Sequence, residues 1–588
     1  MVLGAGCLAL ASGCASPVGG PEADAHRVLA DKLLRELRES RQHDSARVLT
    51  RGPVELDIEP RFLPDVEALG GLRSYSEHAD EFGEDLLGRP QESMPLDLQS
   101  AIRSAVEHNY ALQFSRLEPG VAEAGVVRAE AAFDWVFFAG TSFNRVESEQ
   151  ISTSAVTPAR DERDIARASL GLRRNSGLGG TLQIQQEFQY TDVLTREIGA
   201  VRFTPDPAWE STLSIQATQP LLRGFGTDVA REGLLIARNT ERDRLAQFKA
   251  QAINTVVETE TAYWELFRAR QNLRIVQRLV DRGEETRRQI RTRGEFLDAD
   301  PAQVADADAR VQERRQTLIQ SQTTVRELSD RLKLAMSDPR FPVAGEMLLV
   351  PTDEPVDQAI EYGLFDSYQT ALRRRPEIYQ ALLSLDNTSI RRRVAENGLL
   401  PLLDLRAQFA ISDLDSSFGR SFDEQFSFSR QSWLLGLNFE LPIGNREAQA
   451  LLSERRLQQQ QATIAYQNTV QGVIAEVRRS LRRAKEAYER IGQSMNNRLA
   501  AAHNLRVLNI QRDTIAVNSP ERLNLEFQAQ ERLAAAEQAE VAALVDYMIS
   551  IANLHAAMGT ALERNGVRFI VPDSGPTADP FDGSAPRR

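Results

Sequence analysis

Residues 227–293 contain no proline and only two glycines, Gly233 and Gly283. As one helix rising about 1.5 Å per residue, that stretch alone would reach about 100 Å. No ordinary globular domain holds such an element. Leu245, Ala252, Leu266, Leu273 and Val280 are spaced by multiples of seven, and so are Val304, Val311, Leu318, Val325 and Leu332. A strict seven-residue period implies a left-handed coiled coil. The break "RTRGEFLDADP" at 291–301 holds Gly, Asp and Pro, so the two helices are expected to fold back as a hairpin. With 6% aromatic and 26% charged residues, the composition suits long helices better than a compact enzyme core.

Three other stretches alternate with period two. In "TLQIQQEFQY" (181–190), Leu182, Ile184, Phe188 and Tyr190 share one face. In "LSIQATQ" (213–219), Leu213, Ile215 and Ala217 oppose Ser214, Gln216 and Thr218; in "LLGLNFEL" (434–441), Leu435, Leu437, Phe439 and Leu441 oppose Gly436, Asn438 and Glu440. Strands apolar on one side and polar on the other suit a water-filled transmembrane barrel. An ordinary antiparallel sheet gives the same pattern. No segment offers the roughly 18 consecutive apolar residues of a spanning helix, so any membrane crossing falls to strands.

The pattern occurs twice. Residues 104–143 align with 370–409 at a shift of 266, placing Ala105 on Ala371 and Phe143 on Phe409. "TQPLLRGFG" aligns with "ELPIGN" through Pro220 and Pro442, a shift of 222, and Pro301 aligns with Pro520 at 219. Each half reads helix, strands, elbow, long helix, tip, returning helix. Pro220 and Pro442 can end a strand ladder without wasting a donor, and Gly224, Gly226 and Gly444 can turn the chain before the helix. The shift drops from 266 to 222, so the first strand region is 44 residues longer. The excess includes "GLRRNSGLGGTLQIQQEFQY", read as an added hairpin around 175–180, giving either more strands or larger surface loops.

A net charge of −13 argues against a nucleic-acid partner. Both cysteines, Cys7 and Cys14, lie in the first 14 residues. The opening reads as a processing signal, and Ala11-Ser12-Gly13-Cys14 resembles a bacterial lipobox, although no Lys or Arg precedes the apolar run. Cys14 is therefore the candidate lipidation site; an incidental cysteine is the plainer alternative. Residues 21–95 are acidic, with a short amphipathic helix near 25–40, and read as a peripheral extension. His26, His43, His78, His108, His503 and His555 show no metal-ligand spacing, and no Walker A or G-x-S-x-G motif is present. Catalysis, cofactor and metal are not expected. Trp135, Trp209 and Trp433 lie at or near strand segments, as an aromatic girdle would require; sheet packing would place them equally well.

At Ala101–Phe143, Gln219–Gly226, Ala262-Tyr263-Trp264-Glu265-Leu266, 370–409 and Leu441–Gly444 the chain resembles the TolC-type outer-membrane efflux factors. The resemblance covers roughly 96–335 and 367–562. It implies a mainly α fold with a transmembrane β portion, in which a duplicated helix–strands–long helix repeat gives a β-barrel and a coiled-coil tunnel, closed as a homotrimer. The usual protomer of the family gives about four strands. The expected division is a signal peptide at 1–13, a peripheral extension at 14–95 and a first repeat at 96–336 (strands 134–219, hairpin 227–335). A linker at 337–366, a second repeat at 367–562 (strands 402–441, hairpin 446–560) and a tail at 563–588 follow.

The implied role is a passive exit duct of a tripartite efflux or type I secretion system. An inner-membrane pump would drive it through a periplasmic adaptor, with the chain lipid-anchored in the bacterial outer membrane and its helices in the periplasm. Adaptor contact is expected at the tips, at Arg293, Gly294, Phe296, Leu297, Val517, Asn518 and Pro520. Acidic residues crowd the first tip (Glu295, Asp298, Asp300, Asp306, Asp308), and the second has Glu521 and Glu526. Three-fold repetition turns an inward carboxylate into a cation-favouring ring, so Asp306, Asp308 and Glu526 are the candidate gate; a solvated helix face is the alternative. The competing reading of the whole chain is a lipid-anchored coiled-coil envelope lipoprotein without a pore.

Overall fold

A helix cannot continue through Pro301, because proline lacks the amide hydrogen and clashes with the preceding turn; helices on either side of it form the first hairpin. The computed structural model describes residues 47–50, 58–71, 80–149, 160–194, 197–198, 201–202, 205–295, 301–514 and 520–569. After a two-residue strand at Arg47–Val48, which pairs with Glu361–Tyr362, come α1 (Leu63–Gly70) and β1 (Ser93–Leu96). The first repeat follows: α2 (Leu98–His108), α3 (Tyr110–Glu130), β2 (Val136–Glu149), β3 (Arg160–Asn175), β4 (Thr181–Val193), β5 (Ala208–Pro220), α4 (Glu232–Glu295) and α5 (Pro301–Met336). After β6 (Leu348–Pro351) the second gives α6 (Leu364–Arg374), α7 (Pro376–Asn397), β7 (Leu402–Asp415), α8 (Phe418–Glu424), β8 (Gln431–Glu440), α9 (Arg446–Thr514) and α10 (Pro520–Ala557). A shift of 266 places α2 on α6 and β2 on β7 residue for residue. Among the described residues the β3–β4 hairpin has no counterpart in the second repeat, just as α8 has none in the first; the hairpin is inserted between the two strands that the repeats share.

The chain divides into two units, each drawing on both repeats. One holds residues 119–244 and 380–466. Its body is a six-stranded sheet in the order β8-β7-β5-β4-β3-β2, antiparallel throughout. The excess length of the first strand region is thus two further strands paired into the sheet, rather than a loop. Gly179, at φ 94°, closes the β3–β4 turn, where the Ser176 amide donates to the Gly180 carbonyl at 2.6 Å.

The other unit holds residues 1–118, 245–379 and 467–588. Here α4 and α5 fold back on one another: Arg315 pairs with Glu284 at 2.6 Å, and Arg291 with Asp308 at 3.1 Å. Of the heptad positions, Ala252, Leu266, Leu273, Val280, Val311, Val325 and Leu332 are buried. Thr259 fills the place missing from that series; it is fully buried, and its hydroxyl donates to the Thr255 carbonyl at 2.8 Å, which satisfies it inside the core. Tyr263 and Trp264 belong to the same core. The Tyr263 hydroxyl donates to Asp353 at 2.6 Å and accepts the Thr352 and Asp353 amides at 3.1 and 3.0 Å. β1 and β6 pair in parallel beside it.

The described part of the N-terminal extension is not peripheral. Val66 is fully buried, Phe82 is 7% exposed, and Asp80 is held by Arg270 and Arg274 at 2.8 and 2.6 Å. The acidic composition that suggested a solvated segment supplies the partners for arginines on α4. The helix expected near 25–40 lies outside the described residues, as does Cys14.

Candidate functional site

Successive side chains of a strand point to opposite faces, so the register assigns every residue of the sheet to a side. Phe137, Leu172, Ile184, Ile215, Phe409 and Trp433 form one directly paired row across all six strands. Five of them are exposed, from 37% for Phe409 to 78% for Trp433. The adjacent row, on the opposite face, is Val136, Arg173, Gln183, Gln216, Gln408 and Leu434, polar in its four central members. One face therefore carries an exposed apolar row and the other a polar one.

Polar side chains also fall on this face: Arg145 and Asp164 pair at 2.6 Å near one end of β2 and β3, and Gln186, Ser211 and Asp413 form a separate group of three. These three sit under α8 and the turn that follows it. Gln425 accepts from Ser211 at 2.7 Å and from Gln186 at 3.2 Å, Ser421 donates to the Asp413 carbonyl at 3.0 Å, and Arg430 pairs with the Asp413 carboxylate. Above this network Phe418 packs on Phe188 at 5.1 Å and on Trp209 at 5.4 Å, and Tyr190 meets Trp209 at 4.9 Å. These aromatic rings, Trp209 among them, cluster at the sheet end farthest from the elbows. Trp135 and Trp433 are exposed elsewhere on the sheet. The helix was missed in the sequence, although Phe418, Phe422 and Phe426 recur at the four-residue spacing of a helical stripe.

At the other end of the sheet are the elbows. Pro220 ends β5, and Gly224 and Gly226 take φ of 87° and 111°, a left-handed region open chiefly to glycine. The Gly224 amide donates to Asn397 Oδ1 at 2.6 Å, and Asn397 Nδ2 donates back to the Leu222 carbonyl at 3.2 Å. A Cβ on Gly179 would meet the Gly224 carbonyl oxygen at 2.2 Å, so the inserted hairpin's turn packs directly on this elbow. In the second copy Pro442 follows β8, Gly444 takes φ 88°, and Asn445 donates to the Leu399 carbonyl at 3.2 Å. Each elbow is clamped by an asparagine.

The acidic residues beside the tips have arginine partners within the chain. Asp306 pairs with Arg310 at 3.0 Å, and Asp308 lies between Arg291 at 3.1 Å and Arg287 at 3.7 Å. Glu526 is 5% exposed and accepts from Arg512 at 2.8 Å and Thr286 at 3.4 Å. Within the protomer it is a buried carboxylate. The backbones of Arg293, Gly294 and Pro520 lie in helix, whereas Phe296, Leu297, Val517 and Asn518 fall outside the described residues.

A second charged cluster lies where α1 docks on the coiled coils. The last carbonyls of α1 accept from three arginines on two long helices: Ala68 from Arg278 at 3.5 Å, Leu69 from Arg282 at 2.6 Å, and Gly70 from Arg498 at 2.8 Å. Helix C-termini leave such carbonyls free, and cations are favoured there. Arg498 also pairs with Glu540 at 2.5 Å, both more than nine-tenths buried. Burial drives the Glu537 carboxyl up to about 7 against the pull of Arg282, Arg278 and Arg498, and drives Arg282 down to about 10. Nothing in the sequence marked this cluster, because its members are far apart in the chain. Among the described residues no cluster of His, Cys, Asp and Glu could hold a metal ion.

Solved structures share the fold of an antiparallel sheet joined through elbows to long helices. OprN, an outer-membrane channel, is 16% identical, with a TM-score of 0.59 over 79% of this chain and 90% of its own. The CmeC outer membrane channel of Campylobacter jejuni is 14% identical, with 0.55 over 82% and 92%. VceC, an outer membrane protein of Vibrio cholerae, is 15% identical, with 0.57 over 79% and 96%. Residues 367–560 match the family model described as outer membrane efflux protein, so the chain carries a domain of that family in its second repeat. No curated protein matches it.

Proposed function

We propose that this chain is one protomer of an outer-membrane exit duct that works with an efflux system. The observation that carries the reading is the two-faced sheet: an apolar row from Phe137 to Trp433 for lipid, and a polar row through Gln183, Gln216 and Gln408 for water. A lipoprotein spacer without a pore has no use for such a sheet. Backbone groups at a sheet edge cannot be left unpaired in hydrocarbon, so several copies must close the wall, and a homotrimer is the assembly we adopt. Lipidation at Cys14 would anchor it in the outer membrane, with the helices in the periplasm. An adaptor would dock at Arg293, Gly294, Phe296, Leu297, Val517, Asn518 and Pro520 and link the duct to an inner-membrane pump. Asp306 and Asp308 would shape the charge at the periplasmic mouth. Purified protein in planar bilayers tests the reading: stable trimers with single-channel conductance support it, and trimers or monomers that never conduct contradict it.

A further inference from the structure

We propose that the wall of this duct has eighteen strands, six from each of three copies, and that the β3–β4 hairpin widens the pore; the number rests on the trimeric reading above. Three observations carry it. The hairpin is not appended to the sheet but inserted within it, β3 pairing with β2 and β4 with β5 along their full lengths. Its faces continue those of its neighbours: Ala166, Ala168, Leu170 and Leu172 of β3 and Ile184 and Phe188 of β4 fall on the apolar side, while Arg167, Ser169, Gln185 and Gln189 fall on the polar side. A loop in water would need no apolar strip in register with strands on both sides. Finally, its strands run Arg160–Asn175 and Thr181–Val193, longer than the roughly 9–11 residues needed to cross a bilayer.

The edges dictate how the wall closes. β2 and β8 are the two outer strands, and each would present a row of unpaired amides and carbonyls to hydrocarbon. Because the six strands alternate in direction, β8 of one copy and β2 of the next are antiparallel, and a ring closes without a parallel pair. Six strands alone are too few to enclose water, since about eight already fill their interior with side chains, whereas 16–18 leave an aqueous channel. At a strand spacing of about 4.8 Å and a tilt of about 40°, eighteen strands give a backbone radius of about 18 Å. Twelve, the number left if the hairpin lay outside the wall, would give about 12 Å by the same geometry. The hairpin thus roughly doubles the cross-section of the membrane-spanning part. The polar side of the hairpin carries Gln183, Gln185 and Gln189 together with the charged Arg167, Arg173 and Glu187, the last pairing with Arg167 at 3.9 Å.

Electron cryomicroscopy of the protein in lipid nanodiscs counts the strands. Eighteen strands around a three-fold axis are expected. Three copies with twelve strands in the wall, and the hairpin outside it, overturn the inference while leaving the duct reading intact. A copy number other than three overturns the trimer and the count of eighteen together. Independently, a bulky thiol reagent on Gln185→Cys should lower single-channel conductance. Ala168→Cys labelled with an apolar thiol-reactive fluorophore should instead be quenched by brominated lipid and leave conductance unchanged. Equal access from water at both positions, with no change in conductance, would contradict a place in the wall.

Discussion

The Gly224 amide donates to Asn397 Oδ1 at 2.6 Å, so the last residue of a second-repeat helix holds the strand-to-helix elbow of the first. Asn397 also donates to the Leu222 carbonyl, so both halves of its amide are used. Asn397→Ala strands a donor and an acceptor in a half-buried site, at a cost of about 1–3 kcal/mol. Asn397→Asp keeps the acceptor for Gly224 and loses the donor for Leu222, so its loss should be smaller. Thermal melting of the assembled protein in detergent should rank wild type above Asp above Ala.

The docking of α1 can be disturbed without touching the long helices. A Cβ on Gly70 would meet Leu533 Cδ1 at 2.8 Å and the Ala502 Cβ at 2.9 Å. Gly70→Ala should therefore loosen α1, and limited proteolysis should cut near residues 58–71 faster. Arg498→Ala also removes the partner of buried Glu540, and breaking a buried pair from one side costs about 3–5 kcal/mol. Its melting temperature should fall well below that of Gly70→Ala.

Glu537 makes stability depend on pH. Its carboxyl ionises at about 7 in the folded protein, raised from 4.5 by burial. The folded state then binds the proton more tightly, and its stabilising effect is complete below about 4.5 and lost as pH rises through about 7. The shift corresponds to about 3 kcal/mol between those limits. Arg278, Arg282, Arg498, Glu540 and Glu67 set the surrounding field. Glu537→Gln should flatten the loss of stability between pH 4.5 and 7 and melt higher than wild type at pH 8. Parallel profiles for the two proteins would contradict this assignment.

Replacing Asp306 and Asp308 together by Ala removes the counter-charges of Arg287, Arg291 and Arg310. If the carboxylates shape the mouth, reversal potentials in a salt gradient should shift towards anions while trimers still assemble. Unchanged selectivity would assign both to a solvated outer face.

The helical half of the fold was legible because its signals are local and repeated: the heptad series from Leu245, the break at 291–301, and the 266-residue shift that maps α2 on α6. Strands β4, β5 and β8 showed clean alternation, since one face is apolar and the other polar along their central parts. β3 did not, because "RDERD" at its start is charged on both faces and only 166–172 alternate. The α1 clamp and the polar network under α8 join residues far apart in the chain, so no spacing rule reveals them. The tip carboxylates illustrate a different limit: Asp308 and Glu526 look alike in sequence, yet one is half-buried between Arg287 and Arg291 and the other is buried against Arg512 and Thr286.

The most direct test of a sheet that faces lipid on one side and water on the other is cysteine labelling along β8. Single cysteines at Leu435, Gly436, Leu437, Asn438 and Phe439 in reconstituted protein should alternate. Positions 436 and 438 should react with a charged thiol reagent and lower conductance, while 435, 437 and 439 should resist it and, when labelled with an apolar thiol-reactive fluorophore, be quenched by brominated lipid. Uniform reaction with the charged reagent at all five positions, with no quenching by lipid, would contradict a membrane-spanning wall.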